Sequence, residues 1–399
     1  MSRVLLFSLF LLLTPVFSSF SAELDRKLAA YIDQGSVLVA DDSKILYSLQ
    51  PNKLFVPASI LKIATALAAL HYLQADYHFK TEFYLNKHHD LTIRGYGDPQ
   101  LVSEEIHSIA NALSLQKKLP AAFRNIHLDT SAFNSNIRIP GVEKSLNPYD
   151  ALNGALIVNF NTIYVAVDQN HRIHSAEQQT PLTAMARQLA KGLPPGKHRI
   201  NISHKSQYIL PHMGGLFKEF LQQFGFEVSG KIKEGPAYQQ GYLIHTHSSR
   251  HDLIDTITNM MQYSNNFMAN QLFLTIGMHT YGMPATRQKG VAAMNVFLTK
   301  KLNIPQNEQT IAEGSGISRK NRITAHTMLK LLKAFEPYQQ TLPKHHGIHL
   351  KTGTLSGVYT MAGYLPHPKK NLYFVIMLNQ KNNARDKILK ILLNTRLDN

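Results

Sequence analysis

The stretch Val56-Pro57-Ala58-Ser59-Ile60-Leu61-Lys62 leads directly into an apolar run, residues 63–70, that is rich in alanine and leucine. Both residue types are strong helix formers, and proline suits a first helical turn because it lacks an N–H group that would be unsatisfied there. The stretch therefore predicts a helix from about Ser59 to Leu73. Ser59 and Lys62 are three residues apart, so they lie on the same face of this helix.

A serine and a lysine on one helical face can act together as a nucleophile and its base. A serine hydroxyl is a poor nucleophile until a neighbouring base accepts its proton. Lysine serves as that base where burial or a nearby cation lowers its pKa. The free N–H groups at the start of the helix favour a developing oxyanion. Ser59 is therefore a candidate nucleophile and Lys62 its candidate base, although Ser-x-x-Lys alone also occurs on ordinary surface helices.

Two further motifs follow along the chain. Tyr263-Ser264-Asn265-Asn266 contains Ser-x-Asn, and Leu350-Lys351-Thr352-Gly353-Thr354 contains Lys-Thr-Gly. In this order, the three motifs resemble those of penicillin-binding proteins and serine β-lactamases. The resemblance implies a transpeptidase-type fold and a covalent acyl-enzyme at Ser59.

The resemblance also implies a role for each residue of the catalytic group. Ser264 is expected to relay a proton to the leaving amine, and Asn266 to hold the substrate amide by hydrogen bonds. Lys351 is expected to keep Lys62 neutral by charge repulsion and to attract a substrate carboxylate. The candidate catalytic residues are Ser59, Lys62, Ser264, Asn266 and Lys351.

The strand with Lys-Thr-Gly supplies candidate substrate contacts. Thr352 can hydrogen-bond the substrate carboxylate, and Gly353 lets the ligand approach the backbone closely. The backbone N–H groups of Ser59 and Thr354 are expected to form an oxyanion hole.

Three further segments make the resemblance narrower. They are Gly95-Tyr96-Gly97-Asp98-Pro99-Gln100-Leu101, Ala155-Leu156-Ile157-Val158-Asn159-Phe160-Asn161 and Gly314-Ser315-Gly316-Ile317-Ser318-Arg319. These segments are similar to those of the D-alanyl-D-alanine carboxypeptidase/endopeptidase family, the class C, low-molecular-mass penicillin-binding proteins. The resemblance covers about residues 27–393. Glu313 is a small departure, because the family often has aspartate at that position.

The resemblance to this family implies a substrate class. It implies cleavage of the D-Ala–D-Ala bond of peptidoglycan stem peptides, or of the D,D cross-link between stems, and it does not separate the two. It further implies that Ser315 and Arg319 bind substrate and that β-lactam antibiotics acylate the protein. No metal or organic cofactor is expected.

The motifs also predict how the chain is divided. Ser59 and Lys351 must meet although they lie near opposite ends, and about 200 residues separate Lys62 from Ser264. That gap is too long for a helical subdomain and predicts an insertion, so the fold class expected is α/β (α+β), with a large inserted domain after the nucleophile helix. A third accessory domain stays open. The expected division is residues 23–75 with 245–399 for the catalytic domain and residues 76–244 for the insertion.

Hydrophobic periodicity predicts strands near both ends of the chain. Near the ends, strands are predicted at 36–40, 44–47, 350–354, 360–364 and 372–378, with a closing helix at 384–393. Between them, strands are predicted at 81–85, 91–94, 125–129, 155–167 and 197–204.

Residues 1–22 have the features of a secretory signal peptide. Arg3 precedes an apolar run, Val4–Leu13, and small residues follow. The run is too short to span a bilayer stably, and the absence of cysteine excludes a lipobox and disulfides. A soluble periplasmic protein is therefore expected, with cleavage after Ser21 or Ala22.

The net charge of +16 would suggest nucleic acid in a cytosolic protein. No basic run with interleaved aromatic residues occurs, so no nucleic-acid partner is expected. In an exported protein, the positive charge is expected to attract anionic polymers of the cell envelope. The 20 histidines are scattered without metal-ligand spacing.

Two alternatives to the peptidase remain open. One is a non-catalytic envelope-binding paralogue, against which the intact motifs argue. The other is a serine β-lactamase, because Glu143-Lys144-Ser145-Leu146-Asn147 matches the Glu-x-x-Leu-Asn segment that carries the deacylating base in class A enzymes. In those enzymes the segment follows Ser-x-Asn, whereas here it precedes Ser264.

Overall fold

The computed structural model describes residues 17–236, 241–367 and 371–395. Helices and strands are mixed along all three ranges, which confirms the predicted fold class. The α-helices are α1 (Phe17–Ala29), α2 (Lys62–Leu73), α3 (Ser103–Ser114), α4 (Ala184–Ala190), α5 (Ser206–Gln223), α6 (Leu253–Gln262), α7 (Asn266–Tyr281), α8 (Arg287–Val296), α9 (Ala325–Phe335) and α10 (Arg385–Asn394). The strands are β1 (Gly35–Ala40), β2 (Ile45–Leu49), β3 (Lys80–Asn86), β4 (Leu91–Gly95), β5 (Ala122–Phe123), β6 (Ile126–Asp129), β7 (Thr162–Val167), β8 (Ile173–Ser175), β9 (Gly196–Asn201), β10 (Glu227–Val228), β11 (Ile232–Glu234), β12 (Gly241–Ser248), β13 (Gln309–Thr310), β14 (Arg322–Ile323), β15 (Lys344–His345), β16 (Ile348–Leu355), β17 (Val358–Leu365) and β18 (Leu372–Leu378).

A six-stranded antiparallel sheet joins the two ends of the chain. Its strand order is β15-β16-β17-β18-β1-β2, so the N-terminal hairpin continues the C-terminal strands through the pairing of β1 with β18. Side chains alternate between the faces of a strand. Val37 and Val39 therefore pack in the layer that contains α1 and α10, while Leu38 packs in the layer that contains α2 and α9. The expected meeting of the two chain ends is confirmed.

The nucleophile helix lies in the second of these layers. The helix predicted from Ser59 begins as a 3-10 turn, Ala58–Leu61, and continues directly as α2. Nearly every residue of α2 is buried, and the helix packs against α7 and α9. A helix that is apolar on all sides is typical of a protein core. Lys62 is the first residue of this helix and is buried together with it.

The chain between α2 and α6 forms two further cores. A five-stranded sheet of order β11-β6-β4-β3-β12 packs against α3 and α5, and a three-stranded sheet of order β8-β7-β9 packs against α4. Strand β12 pairs with β3 as far as Ser248, so residues 245–248 belong to the same sheet as the segment predicted to be inserted. We propose that the insertion ends at Ser248 and contains both cores.

The strand predicted over residues 155–167 is wrong in its first half. Strand β7 begins at Thr162, and Asn159–Asn161 form a turn in which all three φ angles are positive, at 47°, 58° and 53°. Asparagine tolerates this left-handed conformation better than most residues. The Asn159 amide holds the turn in place, since it accepts from the Ser103 N–H at 3.0 Å and donates to the Ser103 hydroxyl at 2.9 Å.

Residues 155–158 are all apolar, as in a buried strand, but for another reason. Ala155 and Ile157 pack in the core around α2, whereas Leu156 and Val158 pack in the core of the five-stranded sheet. The segment runs between two cores and so buries both of its faces. Its continuous apolar character reflects this double burial and does not come from pairing in a sheet.

Most of the predicted signal peptide, residues 1–16, lies outside the described residues. Helix α1 begins at Phe17, within the last part of that prediction. Among the residues that the structure describes, no helix combines the length and apolar character needed to cross a bilayer.

Candidate active site

The side-chain nitrogen of Lys62 lies at the centre of a polar cluster at the start of α2. This Nζ atom lies 3.0 Å from Ser59 Oγ, 2.7 Å from Asn266 Oδ1 and 2.7 Å from the backbone carbonyl oxygen of Ser315. A protonated lysine donates all three of its hydrogens to these oxygens. A neutral lysine keeps two of these donors for Asn266 and Ser315 and turns its lone pair to Ser59. The geometry thus suits removal of the serine proton.

The pKa of Lys62 is well below that of free lysine. The main cause is burial, because the side chain is 0% exposed and the charged form loses its hydration. The positive charge of Lys351 lowers the pKa further, and the carboxylate of Glu313 opposes both effects. Burial and repulsion together favour the neutral base at working pH.

A buried loop carries the Ser315 carbonyl to this cluster. The carboxylate of Glu313 accepts hydrogen bonds from the backbone N–H groups of Ser315, Gly316 and Ser318, from the Ser315 hydroxyl and from the Asn321 amide. A buried carboxylate with this many donors is well compensated and holds its loop rigidly. The longer side chain of glutamate therefore fills the position where aspartate is usual.

Two glycines allow the backbone to pack tightly around Ser59. At Gly316, where φ is 87°, a Cβ atom would lie 1.9 Å from the carbonyl oxygen of Ala58. At Gly353 a Cβ atom would lie 2.7 Å from the backbone N of Ser59 and 2.4 Å from Thr360 Oγ1. Gly353 thus permits the close approach of β16 to the nucleophile turn. This approach brings together the two backbone segments expected to form the oxyanion hole.

The connection between α6 and α7 supplies the Ser-x-Asn residues. Asn265 caps α7, because its side chain accepts from the Met268 N–H at 3.0 Å, and this turns it away from the cluster. Ser264 has a φ of 49°, a sparsely populated conformation for serine. Its side chain is partly exposed and has no hydrogen-bond partner among the described residues. The hydroxyl is therefore available to a ligand.

Lys351 lies on β16 next to the nucleophile turn. The side chain is only 2% exposed, and burial together with the charge of Arg385 lowers its pKa to about 8. Its Nζ donates to the carbonyl oxygen of Thr352 at 3.3 Å. Lys351 therefore still carries most of its charge at neutral pH and repels a second proton on Lys62.

Residues 23–191 and 178–346 match the model of the D-Ala-D-Ala carboxypeptidase 3 (S13) family. The chain belongs to the S13 family. The resemblance stated from the sequence is thereby confirmed.

Relatives of this S13 chain span nearly its whole length. D-alanyl-D-alanine carboxypeptidase DacB of Haemophilus influenzae is 24% identical over 432 residues, which cover 92% of this chain and 89% of the relative. The D-alanyl-D-alanine carboxypeptidase of Actinomadura sp. strain R39 is 26% identical and covers 84% of this chain and 75% of the relative.

Solved structures show that the fold is shared. The crystal structure of penicillin-binding protein 4 from H. influenzae matches with a TM-score of 0.76 at 22% identity and covers 94% of this chain and 99% of that one. A predatory peptidoglycan endopeptidase from Bdellovibrio bacteriovorus matches with a TM-score of 0.57 at 14% identity, covering 90% and 92%.

Two residues that the S13 resemblance assigned to substrate binding have other contacts here. Ser315 is buried, and its hydroxyl donates to Glu313 Oε2 at 2.6 Å, so it reaches the cluster through its carbonyl oxygen. Arg319 is exposed and donates to the carbonyl oxygen of Ser356. It lines a cleft of about 550 Å³ at the end of β16, as does Glu143.

Sequence reasoning about this S13 chain did not find Arg385. Arg385 is the first residue of α10. Its Nη1 donates to the Gly353 carbonyl oxygen at 2.9 Å and to Thr354 Oγ1 at 2.8 Å. No local pattern marks an arginine at a helix start as part of a site. Its position depends on how α10 packs against the sheet.

Across residues 17–236, 241–367 and 371–395, no group of three or more His, Asp or Glu is placed to bind a metal ion.

Proposed function

We propose that this chain is a serine-type D-Ala-D-Ala carboxypeptidase, D,D-endopeptidase or both, and that it acts on peptidoglycan stem peptides through a Ser59 acyl-enzyme. The observation that carries the proposal is the 3.0 Å approach of a buried lysine, Lys62, to Ser59 Oγ. Membership of the S13 family supports the substrate class. The names of the relatives include both carboxypeptidases and an endopeptidase, which supports keeping both activities.

The first chemical step is acylation of the serine. Neutral Lys62 accepts the hydroxyl proton while Ser59 Oγ attacks the carbonyl carbon of the D,D-amide. The carbonyl oxygen becomes an oxyanion that the backbone N–H groups of Ser59 and Thr354 hold, a contribution of about 3 kcal/mol per donor. The C–N bond then breaks, and the proton on Lys62 passes through Ser264 to the leaving amine.

Hydrolysis of the ester completes the reaction. Water attacks the acyl carbon and gives a proton to neutral Lys62; the bond to Ser59 Oγ then breaks, and Lys62 returns that proton to Oγ, which restores the hydroxyl and the neutral base. The product is a stem peptide with a new carboxylate at its end. In this cycle Asn266 and the Ser315 carbonyl orient Lys62, and Lys351 keeps it neutral by repulsion.

The experiment that tests the proposal is digestion of purified muropeptides followed by mass spectrometry. Monomeric pentapeptides are expected to lose one terminal D-Ala if the protein is a carboxypeptidase. Cross-linked dimers are expected to become monomers if it is an endopeptidase. The Ser59→Ala variant is expected to leave both substrates intact. If the wild-type protein changes neither substrate, the proposed function is wrong.

The pH dependence of acylation is expected to reflect the ionisation of Lys62 and of Lys351. The rate should rise as Lys62 loses its proton and fall as Lys351 loses its own, the second near pH 8, which gives a bell-shaped profile. Because a neighbouring cation lowers the pKa of Lys62, Lys351→Gln should raise that pKa and move the rising limb to higher pH. The measurement is the rate of labelled penicillin incorporation across pH.

The position of the rising limb in the pH–rate profile distinguishes the two proposed roles of Lys351, which are repulsion of a proton on Lys62 and attraction of the substrate carboxylate. Lys351→Gln should also reduce the overall rate, since the substrate carboxylate loses an attractive charge, but this loss does not move the limb. Lys344→Gln, which removes an exposed charge from the neighbouring strand β15, is expected to leave the profile unchanged. A rising limb that stays in place in Lys351→Gln would mean that burial alone, or another base, controls Ser59.

We also propose that the protein works in the periplasm. Peptidoglycan lies outside the cytoplasmic membrane, and residues 1–22 have the charge and hydrophobicity pattern of a signal peptide. Cell fractionation and N-terminal sequencing test this proposal. A mature N-terminus at Ala22 or Glu23 in the periplasmic fraction is expected, and an uncleaved cytoplasmic protein would contradict it.

A further inference from the structure

Arg385 reaches the substrate strand from the far side of the sheet. Its guanidinium spans two acceptors on β16, the Gly353 carbonyl oxygen and the Thr354 hydroxyl, both through Nη1. Helix α10 packs against β17 and β18, and Ile388 and Leu392 are fully buried in the core beneath it. The backbone that carries Arg385 is therefore anchored, which fixes where the charge lies.

The hydrogen bond to Thr354 sets the direction of that hydroxyl. A hydroxyl oxygen accepts through its lone pairs and donates through one hydrogen. Thr354 Oγ1 accepts from Arg385, and among the described residues its own hydrogen has no acceptor. Because Thr354 is exposed, this hydrogen is accessible to an anionic ligand.

The positive charge of Arg385 is not compensated within the described part of the chain. No carboxylate there forms an ion pair with Arg385 or with Lys351. Arg385 Nε is moreover buried without a hydrogen-bond partner. Two unpaired cations thus flank Thr352 and Thr354 and repel each other, as the lowered pKa of Lys351 reflects. A bound anion relieves this repulsion.

The proposed substrates carry such an anion at the required place. In a terminal D-Ala and in a D,D cross-link alike, the leaving amine is attached to a carbon that bears a free carboxylate. An arginine beside a hydroxyl donor is well suited to bind a carboxylate by charge-assisted hydrogen bonds.

We propose that Arg385 is a specificity-determining residue that selects substrates with a free carboxylate on the leaving group. It does so by orienting the Thr354 hydroxyl toward the carboxylate and by adding its charge to that of Lys351. This inference rests on the proposed function of the Ser59 site.

The test compares substrates that differ only in this carboxylate. Hydrolysis of an N-acylated D-Ala-D-Ala peptide and of its C-terminal amide is measured with wild type, Arg385→Gln and Arg385→Lys. Arg385→Gln is expected to lower kcat/KM for the free acid by about 10- to 100-fold, mainly through KM, and to change the amide little. Arg385→Lys keeps the charge and is expected to recover part of the preference for the acid.

A matched control separates specificity from folding. Lys390→Gln removes one exposed charge from the same helix and is expected to keep the wild-type preference. A purely structural role of Arg385 would lower kcat/KM for acid and amide by the same factor, and an unchanged ratio in Arg385→Gln would overturn the inference.

A second substrate pair keeps failure of the inference distinct from failure of the proposed function. The acylation rate is measured with a labelled penicillin and with the ester of its carboxylate. Wild type is expected to prefer the free acid and Arg385→Gln to lose that preference. Absence of acylation and of hydrolysis in wild type would overturn the proposed function, and the inference with it, whereas activity with an unchanged preference overturns the inference alone.

Discussion

Replacing Lys62 with methionine is expected to slow acylation of Ser59 by about 10²- to 10⁴-fold, the usual contribution of a general base. Methionine fills a similar volume but has no lone pair basic enough to take the serine proton. The substitution also leaves Asn266 Oδ1 and the Ser315 carbonyl oxygen without the donor that they share. The measurement is the rate of labelled penicillin incorporation at fixed pH.

Two controls make the Lys62→Met result interpretable. Lys87→Met changes an exposed lysine in the same way and is expected to acylate at the wild-type rate. Thermal unfolding shows whether the buried substitution leaves the protein folded, since each unpaired buried acceptor costs about 1 to 3 kcal/mol. A folded Lys62→Met variant that acylates at the wild-type rate would exclude Lys62 as the base.

Gly353→Ala is expected to reduce acylation by about 10²- to 10³-fold, the loss typical of one oxyanion donor. The new Cβ would lie 2.7 Å from the backbone N of Ser59, so β16 or the nucleophile turn must shift. Either shift separates the N–H groups of Ser59 and Thr354 that are proposed to hold the oxyanion. The acylation rate with labelled penicillin again provides the measurement.

The matched control for this substitution is a glycine with room for a methyl group. At Gly215, in α5, the nearest atom to an added Cβ is 3.6 Å away, an ordinary contact. Gly215→Ala is therefore expected to leave acylation unchanged. If Gly353→Ala also acylated at the wild-type rate, the close packing of β16 on Ser59 would have no part in oxyanion stabilisation.

Local sequence was sufficient for the parts of the site that depend on residue type and spacing. Ser59 and Lys62 are neighbours on one turn, so their contact follows from helical geometry. That the two ends of the chain fold together followed from the need to bring Ser59 to Lys351, whereas the pairing of β1 with β18 is seen only in the structure. Both strands are largely apolar, as expected of strands that bury both faces.

Contacts made by the backbone and over long range could not be read from the sequence. The third acceptor of Lys62 is the carbonyl oxygen of Ser315, and every residue has such a group. The contact of Arg385 with Thr354 depends on where α10 packs on the sheet, and the local sequence predicted the helix but not this contact. The first half of the strand predicted at residues 155–167 failed because burial between two cores produces the same continuous apolar run as a strand buried on both faces.

The roles of the glycine and serine residues near the nucleophile also depend on tertiary contacts. Gly353 was expected to let the ligand approach the backbone closely. In the structure, a Cβ atom added at Gly353 would also lie 2.7 Å from the backbone N of Ser59 in the nucleophile turn. Ser315 stays a predicted substrate contact, and in the structure its hydroxyl donates to Glu313 Oε2. In both cases the residue type was informative, whereas the partner could be identified only from the folded chain.

We propose Ser59 as the nucleophile, a claim that can be checked by the intact mass of the protein after treatment with benzylpenicillin. The β-lactam carbonyl mimics the scissile D,D-amide, so wild type is expected to gain the mass of one penicilloyl group, located by peptide mapping to the peptide that contains Ser59. Ser59→Ala is expected to gain none under the same conditions. Labelling of Ser59→Ala at the wild-type rate, or an adduct that maps to another residue, would contradict the claim.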